Sequence, residues 1–139
     1  MSLYILDTDI VSLFQQGDLP VVQRINGIPT QNLAVTIVTL EEQLRGRLNI
    51  IRKATSPERL VAAYARLKLT FDFFYTVNVL AFTPDACDRF NRLKQQKIRI
   101  GTQDLRIAAI ALSVGGIVIT RNQRDFGKVP DLILEDWTL

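Results

Sequence analysis

The chain has 139 residues, with 17 Lys and Arg against 14 Asp and Glu, one cysteine and no histidine. That length fits one domain able to hide roughly two-thirds of its unfolded surface, and 47% apolar residues can furnish its core without disulfides, which the lone Cys87 could not form within the chain. Without an imidazole, Ser-His-Asp, Cys-His and paired-histidine chemistries are excluded, as is a zinc site of His and Cys; catalysis would fall to carboxylates, alone or holding a hard cation such as Mg²⁺ or Mn²⁺.

Leu3 to Leu6 is a short apolar run that ends at Asp7-Thr8-Asp9, after which Ile10, Val11, Leu13 and Phe14 fall at helical spacing. This reads as strand, acidic turn, helix. Asp7 comes too early for a signal peptide, and no apolar run approaches the ~20 residues of a bilayer span, so a soluble, cytoplasmic protein is expected. Leu19 to Ile28 predicts a second helix. The β-branched run Leu33 to Val38 predicts a second strand, and Thr39-Leu40-Glu41-Glu42 a helix reaching about Ala54. Ser56-Pro57-Glu58 opens another long helix, Ser as cap and Pro at its first position. The two long helices should lie side by side.

Val77 to Phe82 predicts a third strand, and Thr83-Pro84-Asp85 opens a helix that ends near Lys97. The next helix starts at Gly101-Thr102-Gln103-Asp104; its run Leu105 to Leu112 is apolar on nearly every side and should lie deep. Gly115-Gly116 closes it. Ile117 to Thr120 predicts a fourth strand, Arg121 to Asp125 a polar turn, and Leu132-Ile133-Leu134 a fifth strand. Strands alternating with helices imply an α/β fold of three layers, a central parallel sheet of four to five strands flanked by helices. No repeat or linker divides the chain, so a single domain over residues 1–139 is expected.

In such sheets ligands bind beyond the carboxyl ends of the strands. Asp7 ends the first strand, Glu42 lies just after the second, Asp104 sits in the first turn of the apolar helix, and Asp125 follows the fourth strand. Four carboxylates on one rim repel each other unless a cation sits among them. Each also has an ordinary reading. Glu42 three residues after Thr39 fits a capping box, Asp104 complements a helix dipole, Asp7 or Asp9 caps the first helix, and Asp125 suits a turn. Clustering at one edge favours the functional reading.

Leu6-Asp7-Thr8-Asp9-Ile10, Val38-Thr39-Leu40-Glu41-Glu42-Gln43-Leu44-Arg45-Gly46, Ile100-Gly101-Thr102-Gln103-Asp104-Leu105-Arg106-Ile107-Ala108-Ala109 and Thr120-Arg121-Asn122-Gln123-Arg124-Asp125-Phe126 together resemble PIN domains. More narrowly, they are similar to the VapC-type toxins of bacterial toxin–antitoxin pairs. The resemblance runs through nearly the whole chain, down to Val129-Pro130 and Glu135-Asp136-Trp137. It implies a PIN-like fold, a Mg²⁺-dependent endoribonuclease, a homodimer, and inhibition by a small VapB-like antitoxin protein. It also implies Asp7 and Asp104 as principal metal ligands, with Glu42 as third acid. The chain departs from the family where Asn usually stands, at Asp9. It departs again after Thr120-Arg121, where Asp often stands and this chain has Asn122; the fourth acid is then Asp125, with Asn122 as competitor.

A metal held by acids would activate water without histidine, with Asp7 and Asp104 binding Mg²⁺ and Glu42 holding a second ion or orienting the water. The basic residues Arg45, Arg47, Arg52, Lys53, Lys94, Lys97, Arg99, Arg121, Arg124 and Lys128 flank these acids in sequence, as a phosphate track would, although a solvated face explains any one of them. Setting the four site acids aside leaves ten of the 14 acids against 17 bases. No base-reading motif appears, so a structured RNA such as a tRNA or rRNA is the expected target. Phe71-Asp72-Phe73-Phe74-Tyr75 holds four rings that cannot all face one way on a helix; most should be core and some could meet a partner. Two rival readings remain. Tyr4-Ile5-Leu6-Asp7-Thr8-Asp9 also resembles the DxD motif of haloacid dehalogenase-type phosphatases, which would make Asp7 a nucleophile and Asp9 an acid but give Glu42 no task. A silent PIN-like module that only binds RNA or protein is the other.

Overall fold

A computed structural model describes residues 2–139. The elements run β1 (Tyr4–Leu6), α1 (Thr8–Gln15), α2 (Leu19–Asn26), a single 3-10 turn (Thr30–Asn32), β2 (Leu33–Thr36), α3 (Ile37–Lys53) and α4 (Pro57–Thr76). They continue through β3 (Asn78–Leu80), α5 (Pro84–Gln95), α6 (Thr102–Val114), β4 (Ile117–Ile119), α7 (Gln123–Phe126) and β5 (Ile133–Glu135). Every strand pair is parallel, in the order β3-β2-β1-β4-β5. The expected α/β sheet is therefore present, with five strands.

Side chains alternate across the sheet, so each strand feeds two cores. Ile5, Ala34 and Val118 face one side, where they meet Phe90 and Leu93 of α5 and Leu105, Ala108 and Ala109 of α6. Leu6, Leu33, Val35 and Ile119 face the other, against Ile10 and Val11 of α1, Val21 and Ile25 of α2, and Phe74 of α4. Both faces are covered, which is why the strands are apolar throughout. The α6 residues Ile107 to Ala111 are fully buried, as the all-round apolar run requires. Helices α3 and α4 pack against each other. Among the described residues, no helix is long and apolar enough to cross a membrane.

The link from α6 into β4 uses two glycines for two reasons. Gly115 caps the helix at φ 65°, in the left-handed region. Gly116 lies so close to β1 that a Cβ there would meet Ile5 Cδ1 at 2.5 Å. The pair ends α6 and lets β4 pack directly beside β1.

Strand β3 is shorter than expected, ending at Leu80 rather than Phe82, and two further departures from the sequence expectation bear on the site. Strand β2 stops at Thr36 and α3 begins at Ile37, two residues earlier than the Thr39 start. Thr36 Oγ1 accepts the Thr39 N–H at 3.2 Å, so Thr36 is the cap, and Val38 turns into the core as a helical residue. Packing and a cap here outweigh the β preference of Ile37 and Val38. The turn after β4 contains a short helix, α7, capped by Asn122.

Candidate active site

Strands β2 and β3 lie on one side of β1, and β4 and β5 on the other. The switch point of the topology falls between β1 and β4, where open α/β sheets form their crevice. Asp7 N–H donates to Ile119 C=O at 3.1 Å there, joining the carboxyl ends of the two strands. A cleft of about 590 Å³ opens at this edge, lined by Asp7, Thr8, Asp9, Glu42, Asp104, Arg121 and Asn122. Residues from the end of β1, from α1, α3 and α6, and from the loop after β4 thus meet in one place.

Asp7 both caps a helix and reaches the cleft. It caps α1, its Oδ1 accepting the Ile10 N–H at 2.9 Å, and it lines the cleft while only 5% exposed. Burial pushes its carboxyl up to about 6; the Thr120 hydroxyl and the Ile10 N–H oppose that rise, and the nearby charges of Asp9 and Asp104 add to it. Asp104 lies in the first turn of α6. Its carboxyl is raised first by burial, then by the charges of Glu42 and Asp125.

Glu42 does not close a capping box, because the cap of α3 is Thr36 and Glu42 lies in the second turn. Its Oε1 instead accepts the Thr8 hydroxyl at 2.6 Å, and Thr8 Oγ1 is 3.0 Å from Thr39 Oγ1. Glu42 is therefore tied to the residue that follows Asp7. Sequence spacing could not show this contact, since 34 residues separate the partners; only the adjacency of Thr8 to Asp7 hinted at it.

Asn122 lines the cleft and Asp125 stands behind it. Asn122 Nδ2 donates to Asp125 Oδ2 at 3.2 Å, and Arg124 and Lys128 approach Oδ1 at 3.4 and 3.7 Å. The Asn122 hydrogen bond, followed by those two cations, holds the Asp125 carboxyl below its ordinary value. Its charge nonetheless reaches Asp104. Asp9 neither caps α1 nor stands as a free acid: its carboxylate is held in the fork of Arg121.

Three of the basic residues are placed differently from one another. Arg121 lines the cleft, whereas Arg47 turns inward between helices, donating from Nε to Thr70 Oγ1 at 2.9 Å and from Nη2 to Gln15 Oε1 at 3.2 Å. Arg47 belongs to a polar seam with Gln43 and Ser12, not to a surface track. Arg45 is an exposed partner of Glu41 on α3, 2.8 Å away.

The donors in the cleft are carboxylate, amide and hydroxyl oxygens, the set that hard divalent cations select. Among the described residues, no group of three or more His, Cys, Asp or Glu side chains is placed to hold a metal ion. Mg²⁺ does not ask for one, since it keeps several waters and takes one or two carboxylates together with substrate phosphate. The mutual repulsion of Asp7, Asp104 and Glu42 would be relieved by a cation among them. The residues present fit such an ion.

The chain is similar to known proteins along most of its length. The PIN domain family model matches residues 4–132. "Ribonuclease VapC1" of Haemophilus influenzae strain R2866 is 29% identical over 142 aligned positions, covering 98% of both chains. The "tRNA(fMet)-specific endonuclease VapC" of Salmonella typhimurium is 29% identical and covers 78% of this chain and 77% of its own. Among solved structures, VapBC-1 of nontypeable Haemophilus influenzae superposes with a TM-score of 0.77 at 26% identity, covering 99% of each chain.

Proposed function

The chain belongs to the PIN domain family, and on that footing we propose that it is a divalent-metal-dependent endoribonuclease of the VapC type, held in check by a small antitoxin protein. The observation that carries this reading is the meeting of Asp7, Glu42, Asp104 and Asn122 in one cleft at the switch point. The similar chains named as ribonuclease and tRNA endonuclease support RNA as the substrate. The similar VapBC-1 structure supports an antitoxin partner.

In this mechanism Asp7 and Asp104 are the residues whose carboxylates would hold Mg²⁺ or Mn²⁺. When bound, such a cation would supply Lewis acidity, making water a usable nucleophile and offsetting charge on the phosphate oxygens. Glu42, fixed through Oε1 by Thr8, keeps Oε2 to orient the attacking water. Asn122, rigid as the cap of α7, offers its side chain to the bound phosphate or its water shell. Asp125 acts behind it, holding Asn122 in place.

A protein partner has an exposed apolar surface to use. Val61, Tyr64, Phe71 and Tyr75 fall along one face of α4 and are all more than half exposed, and a patch of that kind marks interaction sites. Of the four clustered rings, Phe74 is core and Phe73 packs on it and on Phe14. Phe71 and Tyr75 stack on one another at the surface.

The phosphatase alternative needs Asp9 as a free acid, and Asp9 is engaged by Arg121. Incubating total RNA with wild type and with Asp7→Asn, in Mg²⁺ and in EDTA, tests the proposal. Cleavage confined to wild type with Mg²⁺ supports it; cleavage that survives EDTA or the substitution overturns it.

A further inference from the structure

Asp9 and Arg121 lie 112 residues apart in the chain and meet in the lining of the acidic cleft. Arg121 Nε donates to Asp9 Oδ2 at 2.6 Å and Nη2 to Oδ1 at 3.1 Å. This side-on fork uses two of the five N–H donors that a guanidinium carries. The other three, on Nη1 and Nη2, have no protein acceptor among the described residues. The two side chains are 53% and 45% exposed, and a pair so open to water adds little to folding. Its consequence lies in where it holds the guanidinium.

The backbone beneath Arg121 is also fixed. Thr120 is fully buried; its hydroxyl accepts the Asn122 N–H at 2.9 Å and its carbonyl accepts Gln123 Nε2 at 2.7 Å. Four of the residues lining the cleft are acids and one, Arg121, is a base. Of the charged groups that a polyanion meets there, that guanidinium alone has the opposite sign. Arginine matches phosphate oxygens with two parallel donors, and the edge left free by Asp9 offers such a pair.

We propose that Arg121 binds a backbone phosphate of the RNA next to the one that is cut, through the guanidinium edge that Asp9 leaves open. Asp9 is a positioning residue that acts through Arg121. This rests on the ribonuclease reading above and deepens it: the acids hold the reacting phosphate's cation, and Arg121 sets the register of the strand against them.

The test uses wild type, Arg121→Gln, Arg121→Lys and Asp9→Asn with a fluorescently labelled RNA hairpin. Binding is read by anisotropy in EDTA across a KCl series, and cleavage in Mg²⁺ is read as KM and kcat. Arg121→Gln is expected to raise Kd and KM about tenfold while kcat changes less than about threefold. It should also make the slope of log affinity against log salt shallower by about 0.7, the loss of one phosphate contact on single-stranded RNA. Arg121→Lys should restore the slope and only part of the affinity, since a point charge lacks the fork. Asp9→Asn should raise KM by less than Arg121→Gln and leave the slope unchanged.

Unchanged Kd, KM and slope in Arg121→Gln would overturn the phosphate contact. Tighter binding in Asp9→Asn would overturn the positioning role, because Asp9 would then compete with RNA for the guanidinium. RNA that is bound through Arg121 and never cut in Mg²⁺ would remove the ribonuclease reading and keep the contact. RNA neither bound nor cut would overturn both.

Discussion

Thr8 Oγ1 donates a 2.6 Å hydrogen bond to Glu42 Oε1, so the residue that follows Asp7 fixes the carboxylate contributed by α3. One strand end thereby sets the position of two acids. Thr8→Val keeps the shape and removes the donor. It is expected to lower kcat for RNA cleavage about tenfold with little change in KM, whereas Thr8→Ser keeps most activity. Steady-state kinetics on one labelled RNA checks this, and an unchanged kcat in Thr8→Val would contradict it.

Asp7 places a titrating carboxyl in the core edge, raised from 3.8 to about 6 chiefly by burial. A raised acid contributes stability that is full below the unfolded value and is lost as pH rises through the folded value. Above about pH 6 the ion-free protein therefore carries a buried charge at a cost. Asp7→Asn retains a side chain that caps helices well and removes that charge. In EDTA near pH 7.5 it should be more stable than wild type by about 1–3 kcal/mol, and the advantage should vanish near pH 4. Urea unfolding at several pH values measures the difference; equal stability at every pH would contradict the assignment.

Metal affinity follows from the same carboxyl, because an ion must displace its proton. Below about pH 6 the affinity for Mn²⁺ or Mg²⁺ should fall by up to tenfold per pH unit, with about one proton released on binding. Calorimetry in two buffers of different ionisation enthalpy reads that proton directly. Asp7→Asn and Asp104→Asn should both bind the ion more weakly.

Asn122 and Asp125 make separable predictions because the first lines the cleft and the second stands behind it. Asn122→Ala removes the cap of α7 and should cost about 1 kcal/mol of stability, along with activity. Asp125→Asn should lose less activity than Asp104→Asn, by about tenfold or more. Parallel rate measurements on the three variants check the order. A larger loss in Asp125→Asn than in Asp104→Asn would move Asp125 into the cleft.

Much of this arrangement is legible in the chain because its signals are local. The apolar run at Leu3 to Leu6 followed by Asp7, the Ser56-Pro57 and Thr83-Pro84 caps, and the Gly115-Gly116 stop each read from a few neighbours. Parallel topology follows from their alternation, and it brings Asp7, Glu42 and Asp104 to one edge. The start of α3 is less legible, since Thr36 and Thr39 both offer a cap and Ile37-Val38 look extended; burial of Val38 decides it. The Asp9–Arg121 and Thr8–Glu42 contacts are invisible locally, because each joins segments that meet only after the sheet forms. Arg47 misleads for the same reason: its place on α3 suggests a solvated base, while α4 packs close enough to take it inward.

The proposed activity depends on the acids at the switch point working through a divalent cation. Its most direct test is the cleavage rate of one labelled RNA as Mg²⁺ is titrated into EDTA-stripped wild type and Asp104→Asn. The wild-type rate should rise from background to a plateau, and Asp104→Asn should stay lower by about a hundredfold or more throughout. A stripped wild type that cuts at the full rate, or an Asp104→Asn variant that matches wild type, would contradict it.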